Sequence, residues 1–226
     1  MTRATKQSLP AKSLATFVSR QLNALIPDEQ LVSTDELSAP SSVATERALF
    51  CFSANKTRYY REAGKTIFNH LNSDQYCTFL YFLCNTLYDQ YKNEHIASKV
   101  FLLNKYLHGI DLFYSVNLPQ VFMLVHPVGT IIGRASYGEY TIFYQNVTIG
   151  SSSEGIYPTF GEQTAFYSKS SVLGNSSSGK NTIFSANSFI LNLDTPENSV
   201  VAGQFPGHRI LPNTHSLFED IFDRIA

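Results

Sequence analysis

Between Phe160 and Ile190 an apolar residue returns at almost every sixth position. Phe160, Phe166, Val172, Phe184 and Ile190 hold the phase, and Ser178 is the one polar member of the series. A step of six is not the 3.6 of a helix. It is also longer than a simple alternating strand requires. It fits a coil of three short strands, six residues each, in which one position per strand points inward and stacks on the coils above and below. No such coil covers its apolar face alone, so several must stack before any is stable. Corners then need residues that tolerate left-handed backbone angles, and Gly133, Gly150, Gly161, Gly174, Asn175 and Asn187 are expected there.

The preceding stretch has a different period. From Ser13 to about Tyr106 the pattern is helical, beginning with Leu14, Phe17, Val18, Leu22, Leu25 and Ile26 and stopping at Pro27. Ser33 and Glu36 have capping-box spacing, although Pro40 is expected to break the helix they would start. Further helices are expected over Val43–Phe52 and Thr57–Leu71. A long amphipathic helix capped by Asn72, Ser73 or Asp74 should run through Tyr91, and another from His95 to Tyr106 should end at Gly109. Residues 214–226 are expected to form a short amphipathic helix, with Leu217, Phe218, Ile221 and Ile225 on one side. The reading is an α + β chain: an α-helical region over 1–109, a β-solenoid over 110–212 and a tail over 213–226.

Composition narrows the function classes. The net charge of −1 gives no electrostatic case for nucleic acid or an acidic membrane. The most apolar run, Tyr76–Tyr88, is broken by Thr78, Asn85 and Thr86 and is too short to span a bilayer. No apolar stretch follows the basic N-terminal residues as a secretion signal would require, so a cytoplasmic protein is expected. Cys51, Cys77 and Cys84 match no metal spacing and read as small core residues in a reducing compartment. His70, His95, His108, His208 and His215 stand in no recognisable context and read as structural or surface residues.

One stretch carries chemistry. Gly109-Ile110-Asp111 is followed, fifteen residues after the Asp, by His126-Pro127-Val128-Gly129-Thr130-Ile131-Ile132-Gly133, and then by Gln145-Asn146-Val147-Thr148-Ile149-Gly150. Val201-Ala202-Gly203 and Pro206 close the repeat region. Over roughly residues 70–210 this resembles the serine acetyltransferase branch of the hexapeptide-repeat acyltransferases. The resemblance implies a left-handed parallel β-helix, a hand that periodicity alone would not select because parallel crossovers are normally right-handed. It implies acetyl-CoA as co-substrate and no metal. A zinc site of the kind some β-helix enzymes build would need histidines on the coils, and none lies between Val128 and Phe205. It also implies a homotrimer with sites between neighbouring copies, and the helical half raises a hexamer as an alternative.

By the same resemblance His126 is the general base and Asp111 its orienting carboxylate. Gly150, Ser151, Ser168, Ser185 and Lys180 lie along the cofactor, and Val125, Ile156 and Tyr157 line the acceptor site. At Val125 the family has an acidic residue, and at Ile156-Tyr157 an Arg-His pair; the two together read the charged ends of serine. Here both are neutral. The expected activity is therefore O-acetylation of a sugar hydroxyl, in a surface polysaccharide, capsule or precursor. Serine acetylation for cysteine biosynthesis is the alternative, and a non-catalytic trimeric scaffold is the reading from a different class. The chain ends Asp223-Arg224-Ile225-Ala226 and so departs from the terminal Ile by which some relatives dock a partner enzyme.

Overall fold

The structure is a computed structural model describing residues 4–152 and 155–225. Contacts divide it into two compact units. The first runs to His108 and includes Phe113–Ser115, and the second holds Gly109–Leu112 and Val116–Ile225.

The first unit is helical, with one small sheet. In chain order it contains β1 (Thr5–Gln7), α1 (Ala11–Leu25), α2 (Thr34–Ser53), β2 (Arg61–Glu62), β3 (Lys65–Phe68), α3 (Ser73–Asp89) and α4 (Glu94–His108). α3 is buried on every side from Gln75 to Leu87, and it packs against both α2 and α4. Asn72 caps it by accepting from the backbone N–H groups of Asp74 and Gln75. The three cysteines are buried and unbridged. Burial raises the Cys77 thiol and pushes the Cys84 thiol up to about 12, which suits core residues rather than nucleophiles. No helix among the described residues is long and apolar enough to cross a membrane.

Two helical expectations fail here. α2 continues through Pro40 instead of breaking. The capping box forms as expected, with the Ser33 hydroxyl accepting from the Glu36 N–H and the Glu36 carboxylate accepting from the Ser33 N–H at 2.9 Å. Pro40 then removes one backbone bond, but its ring is buried along with Leu37, Ser41 and Ala44. The second failure is Thr57–Leu71, which is not a helix. It holds a two-residue hairpin in which Glu62 pairs with Lys65 across Ala63 and Gly64, both at positive φ (46° and 76°). Thr66 and Phe68 face inward while Lys65 is exposed, a period of two that the helical reading overlooked.

The second unit winds β4 (Asp111–Leu112), β5 (Phe122–Leu124), β6 (Ile131–Ile132), β7 (Ser136–Tyr137), β8 (Thr141–Phe143), β9 (Thr148–Gly150), β10 (Thr159–Phe160) and β11 (Ala165–Phe166). It continues with β12 (Ser171–Leu173), β13 (Ser177–Ser178), β14 (Ile183–Phe184), β15 (Phe189–Leu191), β16 (Asp194–Thr195), β17 (Ser199–Ala202), β18 (Arg209–Pro212) and α5 (Leu217–Ile221). Three parallel sheets result: β4-β6-β9-β12-β15, β5-β8-β11-β14-β17 and β7-β10-β13-β16. The antiparallel β18 closes the foot of the second. This is a left-handed β-helix of about five turns.

The six-residue series is the inward column set. Phe166 lies in register with Phe184, Val172 with Ile190 and Phe160 with Ser178. Phe143, Phe166 and Phe184 stack at 5.4 and 5.1 Å with rings within 9° of parallel. Each such ring, fully buried, contributes roughly 2–3 kcal/mol. Of the expected corner residues, Gly174 and Asn187 are left-handed, and Gly161 packs so closely on Gly179 that a Cβ would come within 2.7 Å of its backbone. Asn175 is not left-handed. Asn146, Lys169 and Asn187 turn one corner, and Tyr140, Gln163, Asn181 and Asn198 turn another. The C-terminal helix is only five residues long. Phe218 packs edge-on to Tyr140, and Phe222, absent from the expected apolar face, is the buried anchor.

Candidate active site

The corner between β5 and β6 differs from every corner below it. Leu124 pairs with Phe143 and Ile131 with Thr148, so seven steps of chain turn this corner where five suffice for Phe143 to Thr148. The next two corners, Phe166 to Ser171 and Phe184 to Phe189, also take five. The two extra residues belong to the His126–Thr130 segment. The Val128 N–H donates to the His126 carbonyl at 2.7 Å, closing a three-residue turn over Pro127, whose fixed φ suits that position. His126 itself has φ 48°, a left-handed conformation that histidine adopts more readily than most residues. The turn is completed by Gly129 at φ 72°, where a Cβ would collide with the Asn146 side chain. Buried Thr130 ties the loop down by donating to the Tyr144 carbonyl at 2.9 Å. His126 is exposed on this tethered loop.

Asp111 reaches the same corner from the coil above. It pairs with Ile131, its N–H donates to the Thr130 carbonyl at 2.8 Å, and the Gly109 carbonyl two residues earlier accepts from the Gly129 N–H at 2.9 Å. The two residues expected to act together thus flank one five-residue loop, Asp111 half-buried and His126 exposed.

The other expected site residues are spread over the prism. Ser168 and Ser185 lie on the His126 corner, in the coils below: the Asn187 N–H donates to the Ser168 carbonyl, and the Ser188 N–H to that of Ser185. Val125 immediately precedes His126, and its N–H donates to the Phe143 carbonyl at 2.8 Å. Gly150 ends β9 and Ser151 follows it into the next corner, to which exposed Ile156 and Tyr157 ahead of β10 also belong. Within that loop Ser153 and Glu154 lie outside the described residues. Lys180 turns the third corner, with its ammonium 3.3 Å from the Glu162 carboxylate. A single copy therefore does not gather Val125 with Ile156 and Tyr157.

One feature of the His126 corner went unread in the sequence. Phe143 and Phe166 point inward, so Tyr144 and Tyr167 point outward, in file below Val125. Their rings stack at 4.8 Å and 8°. They stand 23 positions apart because the loop after β9 lengthens that coil, which hides the repeat. Three of the other five histidines are engaged elsewhere. His70 meets the Ser8 hydroxyl, His108 the Asn104 side chain and His215 the Asp220 carboxylate. Among the described residues no group of His, Cys, Asp or Glu is placed to hold a metal ion.

Comparison with known proteins agrees with the fold. No family model matches the chain. A serine acetyltransferase of Synechococcus elongatus is 30% identical over 134 residues, covering 54% of this chain and 54% of that protein. The chain thus spans about half the length of this curated relative. The crystal structure of serine acetyltransferase from Brucella abortus strain S19 superposes with a TM-score of 0.68 at 18% identity, covering 91% of this chain and 85% of that one. A serine acetyltransferase solved in complex with CoA gives 0.68 at 20%, covering 89% and 84%. In fold and in part of its sequence the chain is similar to the serine acetyltransferases and fits the hexapeptide-repeat acyltransferases.

Proposed function

We propose that this chain is an acetyl-CoA-dependent O-acetyltransferase whose general base is His126. The observation that carries the reading is the lengthened corner, which projects one exposed imidazole beside the strand that begins with Asp111. A hydroxyl is a weak nucleophile. Neutral His126 takes its proton as the oxygen attacks the thioester carbonyl, and Asp111 steadies the ring and the imidazolium that forms. The tetrahedral oxyanion collapses, the C–S bond breaks, and the proton held by His126 passes to the departing CoA thiolate. Backbone N–H groups of the Gly150–Ser151 turn, from a neighbouring copy, would face the oxyanion. Ser168, Ser185 and Lys180 would lie along the cofactor. The complex with CoA among the structural neighbours supports this choice of co-substrate. A homotrimer supplies the missing arrangement, since Val125 and His126 stand at one corner while Ile156 and Tyr157 stand at another.

The acceptor we favour is a neutral saccharide hydroxyl. Val125, Ile156 and Tyr157 offer no charge to an ammonium or a carboxylate, and losing such charge-assisted contacts would forfeit roughly 1.5–3 kcal/mol apiece. Serine is the second reading, supported by what the relative and both structural neighbours are named for. The test is thiol release from acetyl-CoA by the purified chain, with L-serine set against a panel of sugars. Saccharide turnover abolished in His126→Ala is the expected result. Efficient turnover of serine would replace the saccharide, release untouched by His126→Ala would remove His126 as the base, and no acceptor-dependent release at all would leave only a scaffold.

A further inference from the structure

The outer face beside His126 carries two stacked tyrosines whose hydroxyls meet no other described residue of the chain. Tyr144 and Tyr167 occupy successive rungs of the β5-β8-β11 sheet, directly below Val125. Each follows an inward phenylalanine that is fully buried, so each ring stands on the outside of the prism. The rings lie flat on one another, 4.8 Å apart at 8°, which fixes the two hydroxyls about one rung apart. Both side chains are half-buried, and neither hydroxyl has a hydrogen-bond partner among the described residues. Desolvation raises both groups above the ordinary tyrosine value, and the Asp220 carboxylate on α5 adds to the effect at Tyr167, so at neutral pH both are O–H donors.

We infer that Tyr144 and Tyr167 are specificity-determining residues, a ledge of two stacked hydroxyls that holds a polyhydroxylated acceptor at two points while a further hydroxyl meets His126. The inference rests on the acetyltransferase reading and deepens it. Two donors one rung apart match a ring carrying several hydroxyls. The stack is also rigid, so little side-chain freedom is lost on binding.

The experiment uses the full chain with acetyl-CoA and D-glucose, D-galactose, N-acetyl-D-glucosamine or L-serine, following thiol release. Tyr144→Phe/Tyr167→Phe keeps the stacked rings and removes only the hydroxyls, and the two single variants serve if the double variant folds poorly. Loss of two ordinary hydrogen bonds should raise the saccharide KM roughly tenfold to thirtyfold, with the rise confined to the acceptor. Saccharide turnover with an unchanged acceptor KM, or a rise in the acetyl-CoA KM alone, would overturn the ledge and leave the acceptor reading standing. Turnover of serine but no saccharide, or of no acceptor at all, would overturn both.

Discussion

The signal that singles out His126 in the sequence is local: an Asp, fifteen residues, then a His inside a glycine-bounded motif. What the motif could not show is why the ring projects. The cause is a corner two residues longer than those beneath it, together with the turn over Pro127. Tyr144 and Tyr167 were illegible because their relation is purely three-dimensional, across a coil lengthened by its loop. If Asp111 orients the base without itself reacting, Asp111→Asn should lower kcat by about 10²–10⁴, with the acetyl-CoA KM nearly unchanged. A larger effect on KM than on kcat would point to a binding role instead. A second residue prediction concerns stability. His108 is half-buried, its Nδ1–H donating to the Asn104 Oδ1 at 2.8 Å, and desolvation lowers it from 6.5 to about 4. Below pH 6.5 the unfolded chain binds a proton that the folded chain refuses. Stability should therefore be full above that pH and fall as pH drops toward 4, by at most about 3 kcal/mol. Denaturant melts at pH 7 and pH 4.5 would check this, since His108→Gln should remove that part of the acid sensitivity. Equal acid sensitivity in the variant would place its origin elsewhere.

At the scale of elements, helices with strong periodicity and caps were readable, and the misreadings have separate causes. α1 and α4 carry apolar residues at three- and four-residue steps and end in recognisable signals, Gly109 at φ 64° among them. α3 is legible from its cap and its apolar run, but it is buried all round instead of amphipathic and stops at Asp89, short of the expected Tyr91. At α2 the stop signal of Pro40 was outweighed by the capping box and by burial of the ring. The Thr57–Leu71 hairpin was missed because its turn is Ala63-Gly64, and alanine gives no hint of a left-handed φ of 46°. That position is the most exposed to improvement. An L-residue with a Cβ is strained there by roughly 1 kcal/mol, and asparagine tolerates the conformation better. Ala63→Asn should accordingly raise stability by about 0.5–1 kcal/mol in urea melts, while Ala63→Val should lower it. If both substitutions shift the midpoint the same way, the turn geometry is not what the structure shows.

For the whole molecule, the solenoid was legible from its period because each inward residue repeats the task of the one above it. The hand was not, since six-residue steps are silent on chirality and the left-handed sense came from the resemblance. Nor could the period show how residues named for one site are shared out among corners. Val125, His126, Ser168 and Ser185 stand on one corner, Gly150, Ser151, Ile156 and Tyr157 on the next and Lys180 on the third. The β6-β9-β12 face separates the first two, so under the proposed function a chain acting alone would present the base with no acceptor wall opposite it. If the proposed activity is correct, the wall comes from another copy, and the dependence can be measured without a structure of the assembly. His126→Ala removes the base, and Tyr157→Arg obstructs the acceptor wall. Each variant alone should be inactive for a different reason. In mixed assemblies formed by co-expression, some sites would combine the intact His126 of one copy with the intact Tyr157 of another. Those sites should recover turnover that neither parent has. Recovery should vanish when the two proteins are purified separately and mixed without exchange of subunits. Co-expressed material no more active than its parents would mean that base and wall belong to one chain, and the shared site would have to be given up.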